Sequence, residues 1–417
     1  MRTGTNLTHA KQYNLRLVYE TIRLHGPIAR VEIARKTELT AQTVSNLVRA
    51  LMESNLVQET DRVSVGRGAP SIRLSVNPDA GFSIGLDFDQ DHLSAVLVDL
   101  TGAVRQRASH RLNLTTPEEA TALMAEQART LVAQQRITME QVWSVGIGVP
   151  GPMVPSKTRP GSYVVNPRSL PTWRDVPIDA LLEEELGVPV LVENNAMAAA
   201  VGERWYGAGQ HISTFFYVYF GSGLGGGMVV GGHPYSGNRG NAGELGFIPS
   251  VGTSMLSLDE VAGDGTPTGE PLEHSGAFFN LPRLFRLLTQ SGTEVSSPDA
   301  LSALLAQEHP VLLRWIDEAT RQLTTLILTV GYLLDPEAIF FGGRLPDDVL
   351  RAMLQGVWKR FSEKHDLDEL LLPELKLATA GTEAAALGVA ALPLHDFLNP
   401  QHGLSGRSQD VSVSSRA

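Results

Sequence analysis

The residues best placed to do chemistry are Glu193-Asn194-Asn195, directly after the apolar run Val188-Pro189-Val190-Leu191-Val192. That run reads as a buried strand, and ligands of α/β sheets bind outside such carboxyl ends. A carboxamide both donates and accepts hydrogen bonds, so Asn194 and Asn195 suit a hydroxylated ligand. An amide does not take up a proton at neutral pH, so Asn195 suits binding rather than proton abstraction. The chain has no cysteine, which excludes disulfides, a thiolate zinc site and a cysteine nucleophile. Its 11 histidines are scattered without metal-ligand spacing, so neither a metal nor another cofactor is expected.

A second polar set is Gln42, Thr43, Ser45, Asn46 and Arg49. Side chains of these types hydrogen-bond base edges and phosphates. They lie on one face of a helix expected over Ala41 to Ser54, which buries Val44, Leu47, Val48 and Leu51, with Thr40 as N-cap. Two helices precede it. One spans Asn14 to Leu24 around Leu15, Val18, Tyr19 and Ile22, and ends at His25-Gly26-Pro27. The other spans Arg30 to Lys36 and buries Val31, Ile33 and Ala34. Asp61 to Arg73 then reads as a β-hairpin tipped by Gly66-Arg67-Gly68. This order is that of a winged helix-turn-helix, with the third helix in the major groove and Arg67 reaching phosphate or the minor groove. A helical protein-interaction unit with a solvated polar face is the other reading. The order of cap, turn and wing favours the first; charge is compatible with it but does not decide. Residues 1–80 hold 11 Lys and Arg against 7 Asp and Glu, net +4, leaving 23 basic and 38 acidic groups, net −15, for the rest.

At 417 residues two or three domains are expected. The body opens with strands Phe82 to Phe88, His92 to Asp99 and Val104 to His110, a helix Pro117 to Gln135, and a strand Val142 to Val149. A strand Phe215 to Phe220, a glycine loop Gly221 to Gly227 and a strand Met228 to Val230 repeat the theme, and Ala338 to Phe341 follows. The expected division is 1–76 for the DNA-binding unit, 77–200 for a first lobe completed by about 381–396, 201–380 for a second lobe, and 397–417 for a disordered tail. No apolar run is long enough to cross a membrane and the N-terminus lacks a signal-peptide core, so a cytoplasmic location is expected.

Several motifs in order carry a resemblance: the winged helix, Gly148-Val149-Pro150-Gly151-Pro152, Glu193-Asn194-Asn195, Gly221 to Gly227, Asn241-Ala242-Gly243-Glu244-Leu245-Gly246 and Gly342-Gly343. Over about residues 12–395 the chain resembles the regulator branch of the ROK (repressor, open reading frame, kinase) family. The resemblance implies an α/β fold: an N-terminal winged helix-turn-helix, then a two-lobed actin-like, ribonuclease-H-like ATPase fold of the ROK sugar-kinase type. It places the kinase base at Asn195, so no catalytic residue is expected. It implies ligand contacts from Asn194, Asn195, Glu244, Asp259 and Ser169. Glu244 as a cap and Asp259 as a plain surface group are the alternatives. The first phosphate loop of the kinases corresponds to Asp87-Phe88-Asp89-Gln90-Asp91, whose added carboxylates oppose a nucleotide. Gly221 to Gly227 is either a retained nucleotide loop or a tight turn. The family's zinc site loses its histidine to Phe247, which is expected to fill the gap by apolar packing.

The implied protein is a sugar-responsive transcriptional regulator, most simply a repressor, binding double-stranded operator DNA as a homodimer or tetramer and a sugar or sugar derivative as effector. An ATP-dependent sugar kinase with a regulatory DNA-binding head is the alternative.

Overall fold

The computed structural model describes residues 7–63, 71–112, 116–156, 163–165, 170–249, 275–364 and 372–398. The chain begins with α1 (Leu7–His25), β1 (Ile28–Ala29), α2 (Arg30–Thr37), α3 (Ala41–Glu53), β2 (Val57–Val63) and β3 (Ser71–Val76). The three strands form an antiparallel sheet in the order β1-β3-β2. Thr40 caps α3, its Oγ1 accepting from the Thr43 amide at 3.2 Å. Val44, Leu47, Val48 and Leu51 are all buried, as their spacing dictates. Val31 is not: it is 76% exposed. With about 100° per residue, the two-turn α2 turns Ile33 inward and therefore Val31 outward.

The first large sheet is built from β4 (Phe82–Asp89), β5 (His92–Asp99), β6 (Val104–Arg111), β7 (Val142–Val149) and β10 (Val190–Asn194). Between these lie α4 (Pro117–Gln135), the short pair β8 (Met153–Pro155) and β9 (Tyr163–Val165), and α5 (Ile178–Leu186). After α6 (Asn195–Tyr206) the second large sheet begins with β11 (Phe215–Phe220), β12 (Leu224–Val230) and β13 (His233–Pro234). Helices α7 (Ser275–Phe278), α8 (Leu281–Gln290), α9 (Ala300–Ala306) and α10 (Pro310–Leu334) lead to β14 (Ala338–Gly343). α11 (Asp347–Lys364), β15 (Glu374–Leu377) and α12 (Ala384–Leu398) complete the described chain. No helix among the described residues is long and apolar enough to cross a membrane.

The two sheets share one plan. Their orders are β6-β5-β4-β7-β10 and β13-β12-β11-β14-β15, three antiparallel strands followed by two parallel ones. α12 lies against β4, β5 and β7, α6 against β11 and β12, and the two helices pack on each other. Glycines make this contact possible. A Cβ on Gly85 would stand 1.9 Å from the Ala386 carbonyl oxygen, and one on Gly227 would stand 2.5 Å from that of Ala196. The expected glycine loop is therefore shorter than its sequence suggests. Only Gly221 to Gly223 turn, closed by the Gly221 amide on the Gly223 carbonyl at 3.0 Å. Gly225 to Gly227 belong to β12, where missing side chains admit α6.

Candidate functional site

Asn194 ends β10 and caps α6. Its Oδ1 accepts from the amides of Ala196 at 2.8 Å and Met197 at 3.3 Å, satisfying donors that a helix start leaves open. Its Nδ2 donates to Glu244 Oε1 at 3.0 Å. Glu244 precedes a short 3-10 turn, Leu245–Phe247, without capping it by its side chain. Burial raises the Glu244 carboxyl to about 7, because desolvation disfavours its charged form. The Asn194–Glu244 pair sits over Gly151, where a Cβ would stand 2.0 Å from Glu244 Oε1 and 2.6 Å from Asn194 Nδ2. Asn195 is 7% exposed, and its carboxamide makes no hydrogen bond among the described residues. Asn194 and Glu244 thus meet at one place, and Asn195 follows as the first residue of α6.

A second polar cluster lies where β4 and β5 face the second sheet. Asp89 is fully buried. Its Oδ2 accepts from the Ser222 amide at 3.2 Å and its Oδ1 from the Gln90 amide at 2.7 Å. His92 bridges Asp87 Oδ2 at 3.3 Å and Asp91 Oδ1 at 3.1 Å. Arg344, just after β14, donates to Asp91 Oδ1 at 2.6 Å. Burial opposes the charge on His92, but its bonds to Asp87 and Asp91 outweigh that and hold it at about 9. Burial pushes Asp89 up. Asp91 is held well below the usual carboxylate range: burial works against this, but His92 and Arg344 prevail. The added carboxylates of this segment, Asp89 and Asp91, are turned onto the protein's own donors. Arg344 and His92 were missed in the sequence. Arg344 stands 253 positions from Asp91, and no local pattern marks it.

On α3, Gln42, Asn46 and Arg49 are exposed and Thr43 and Ser45 half-buried, all on the helix side away from the core. Gln42 Nε2 donates to Asn46 Oδ1 at 3.2 Å, and Ser45 Oγ to the Ala41 carbonyl at 2.8 Å. Arg35 and Lys36, exposed in the last turn of α2, add positive charge nearby in sequence. The lack of apolar spacing around them was the available signal. Arg67, Ser169 and Asp259 lie outside the described residues. Phe247 does not fill a gap: it is 38% exposed at the end of its turn. Among the described residues no group of three or more His, Asp or Glu is arranged to hold a metal ion. With no cysteine and Phe247 at the histidine position, the donors do not fit the zinc that the resemblance implies.

The ROK family profile matches residues 83–395. The chain belongs to the ROK family. The xylose repressor of Bacillus spizizenii is 31% identical over 241 residues, 58% of this chain. The match spans 61% of that repressor's length. Among solved structures, a ROK family transcriptional regulator described as a homolog of E. coli MLC protein has a TM-score of 0.69 at 22% identity. It covers 94% of this chain and 98% of its own. A ROK family glucokinase from Streptomyces griseus, in complex with glucose and AMPPNP, has a TM-score of 0.60 at 23% identity, covering 75% of this chain and 99% of its own. The ROK fold seen here is thus shared by regulators and kinases alike.

Proposed function

We propose that this ROK protein is a sugar-responsive transcriptional repressor of carbohydrate-utilisation genes, whose kinase-like body binds an effector without phosphorylating it. The observation that carries the reading is Asn195. Where the ROK resemblance places a carboxylate base, this chain has a buried carboxamide with no hydrogen bond among the described residues, directly after the Asn194 that binds Glu244. It can hold a hydroxyl group but cannot accept its proton. The Ser222 amide, which opens the glycine turn, is already engaged by Asp89.

In this reading residues 1–76 form a winged helix-turn-helix. Residues 77–200 with 381–396, and 201–380, are two lobes flanking the effector site. The protein works in the cytoplasm as a homodimer or tetramer, with α3 of each copy in a major groove. Gln42, Thr43, Ser45, Asn46, Arg49 and Arg67 contact DNA. Asn194, Asn195 and Glu244 hold the sugar, with Ser169 and Asp259 completing its wall. Likeness to the Bacillus relative makes xylose the first effector to test.

The test is binding to the DNA upstream of its own gene across a salt series. Sequence-preferring, salt-dependent affinity is expected, and Arg49→Ala lowers it and reduces the salt slope by about 1. Binding that ignores both sequence and salt, or an Arg49→Ala variant that binds as the parent does, removes the DNA reading. One observation favours the kinase alternative: a carboxyl at about 7, as Glu244 has, suits a general base. Sugar-dependent ATP turnover by the purified chain would establish that alternative; its absence is expected.

A further inference from the structure

We infer that α6 is the mechanical link between the effector site and the N-terminal helices, and that Trp205 beneath Arg23 is its output contact. The inference rests on the proposed sugar and DNA reading and adds how the two sites communicate. The helix has a functional group at each end. At its start, Asn194 caps the first turn while binding Glu244, and Asn195 is the first helical residue. At its other end, after 12 residues or about 18 Å of rise, Trp205 reaches Arg23 of α1, and Trp205 and Tyr206 pack against the core that holds Val18 and Ile22. The Arg23 guanidinium lies 4.2 Å from the centre of a Trp205 ring, a cation over a π face. Glu20 holds that guanidinium in place through two bonds, of 2.8 and 2.7 Å.

Nothing along α6 can absorb a displacement. Every residue from Asn195 to Glu203 is buried. α6 and α12 touch backbone to backbone. A Cβ on Gly388 would stand 1.7 Å from the Ala198 carbonyl oxygen, and one on Gly202 would stand 2.0 Å from that of Ala384. The fully buried Glu203 carboxylate fixes the last turn, accepting from the amides of Ala208, Thr379 and Ala380 at 2.7 to 3.1 Å. Close-packed elements move as units rather than deforming. Ala386, Leu387 and Ala390 of α12 share one apolar core with Val18 and Ile22 of α1. A ligand that draws on Asn195 or alters the Asn194–Glu244 bond therefore shifts the α6–α12 pair. That shift reaches the N-terminal helices at Trp205 and along the shared core.

The experiment uses the full chain, the DNA upstream of its own gene, and D-xylose, D-glucose and N-acetylglucosamine as probes. Sugar affinity is measured by calorimetry, and DNA affinity by anisotropy with and without sugar. In the parent chain the active sugar is expected to change DNA affinity by about 5- to 150-fold, and DNA to change sugar affinity by the same factor. Trp205→Leu keeps both affinities, taken singly, within about twofold of the parent, and its coupling factor falls toward 1. Arg23→Met, which keeps the stem over the ring and removes the charge, loses coupling in part and carries the test if Trp205→Leu does not fold. Full coupling in Arg23→Met, or in a folded Trp205→Leu, overturns the link. So does loss of sugar or DNA binding itself, which would make the contact purely structural. If the parent binds none of the sugars or no DNA, the functional reading fails first and the link with it.

Discussion

Two polar clusters lie between the large sheets, and they differ in how they are paired. Around His92 the carboxylates of Asp87 and Asp91 meet His92 and Arg344, while Asp89 holds the Ser222 amide. Around Asn194, one hydrogen bond from its side-chain amide reaches Glu244, Glu244 is raised to about 7, and Asn195 has no hydrogen bond among the described residues. Buried charge is tolerated when paired, and every charged side chain of the first cluster has a partner, with only Asp87 Oδ1 left without one among the described residues. The second retains donors and acceptors at a desolvated place, the condition in which a bound hydroxyl gains most. The first cluster thus acts as structure that joins the sheets, and the second is the one the proposed function uses as its binding site.

Arg344→Met should have the largest effect. It leaves Asp91 without its short ion pair in the cluster; breaking a fully buried pair costs about 3–5 kcal/mol, an upper bound here because the Asp91 side chain is 33% exposed. Denaturant unfolding should report that loss while sugar affinity in the folded protein is kept. A stable variant would mean the cluster does not join the sheets. Glu244→Gln should act the other way. Removing an acid raised from 4.5 to about 7 should stabilise the chain by at most about 3.5 kcal/mol at pH 8, at about 1.4 kcal/mol per pKa unit, and abolish sugar binding. Gly151→Ala places a methyl against Glu244 and Asn194. Overpacking of this kind costs about 1–3 kcal/mol, and a calorimetric titration should find sugar affinity lost with it.

The pH dependence separates the clusters most gently. Both folded values are raised, so each group contributes stability at low pH that disappears as pH climbs. For Glu244 the contribution is full below 4.5 and lost as pH rises through about 7; for His92 it is full below 6.5 and lost as pH rises through about 9. One proton limits each slope to about 1.4 kcal/mol per pH unit. Unfolding midpoints from pH 4.5 to 9 should therefore fall in two windows, and Glu244→Gln should flatten only the lower one. A variant that flattens both would show the clusters to be one coupled system.

Both halves of the Asn194–Glu244 pair were legible in the sequence because each lies in a short motif of its own. A strand that ends in Asn194-Asn195 states its own geometry, and Glu244 lies in a short motif. α3 was equally plain: Thr40 and four apolar residues at helical spacing fix which face is polar. The joining cluster was half visible. The acidic run 87–91 stood out, but its partners come from a strand end and a turn far along the chain, where only tertiary packing brings them near. The glycines at 225–227 misled because a glycine that admits a helix looks, in sequence, like one that turns a loop. Phe247 and Val31 were assigned to the interior by type, although short helical turns can bury only one side.

The most direct test is anisotropy of the full chain on its own upstream DNA, titrated with D-xylose and the other two sugars, beside Glu244→Gln. The account predicts tight binding released by one sugar in the parent chain, and binding of equal strength that no sugar releases in the variant. Sugar release that survives Glu244→Gln would contradict the placement of the effector site, and DNA binding indifferent to every sugar would contradict the sensor reading.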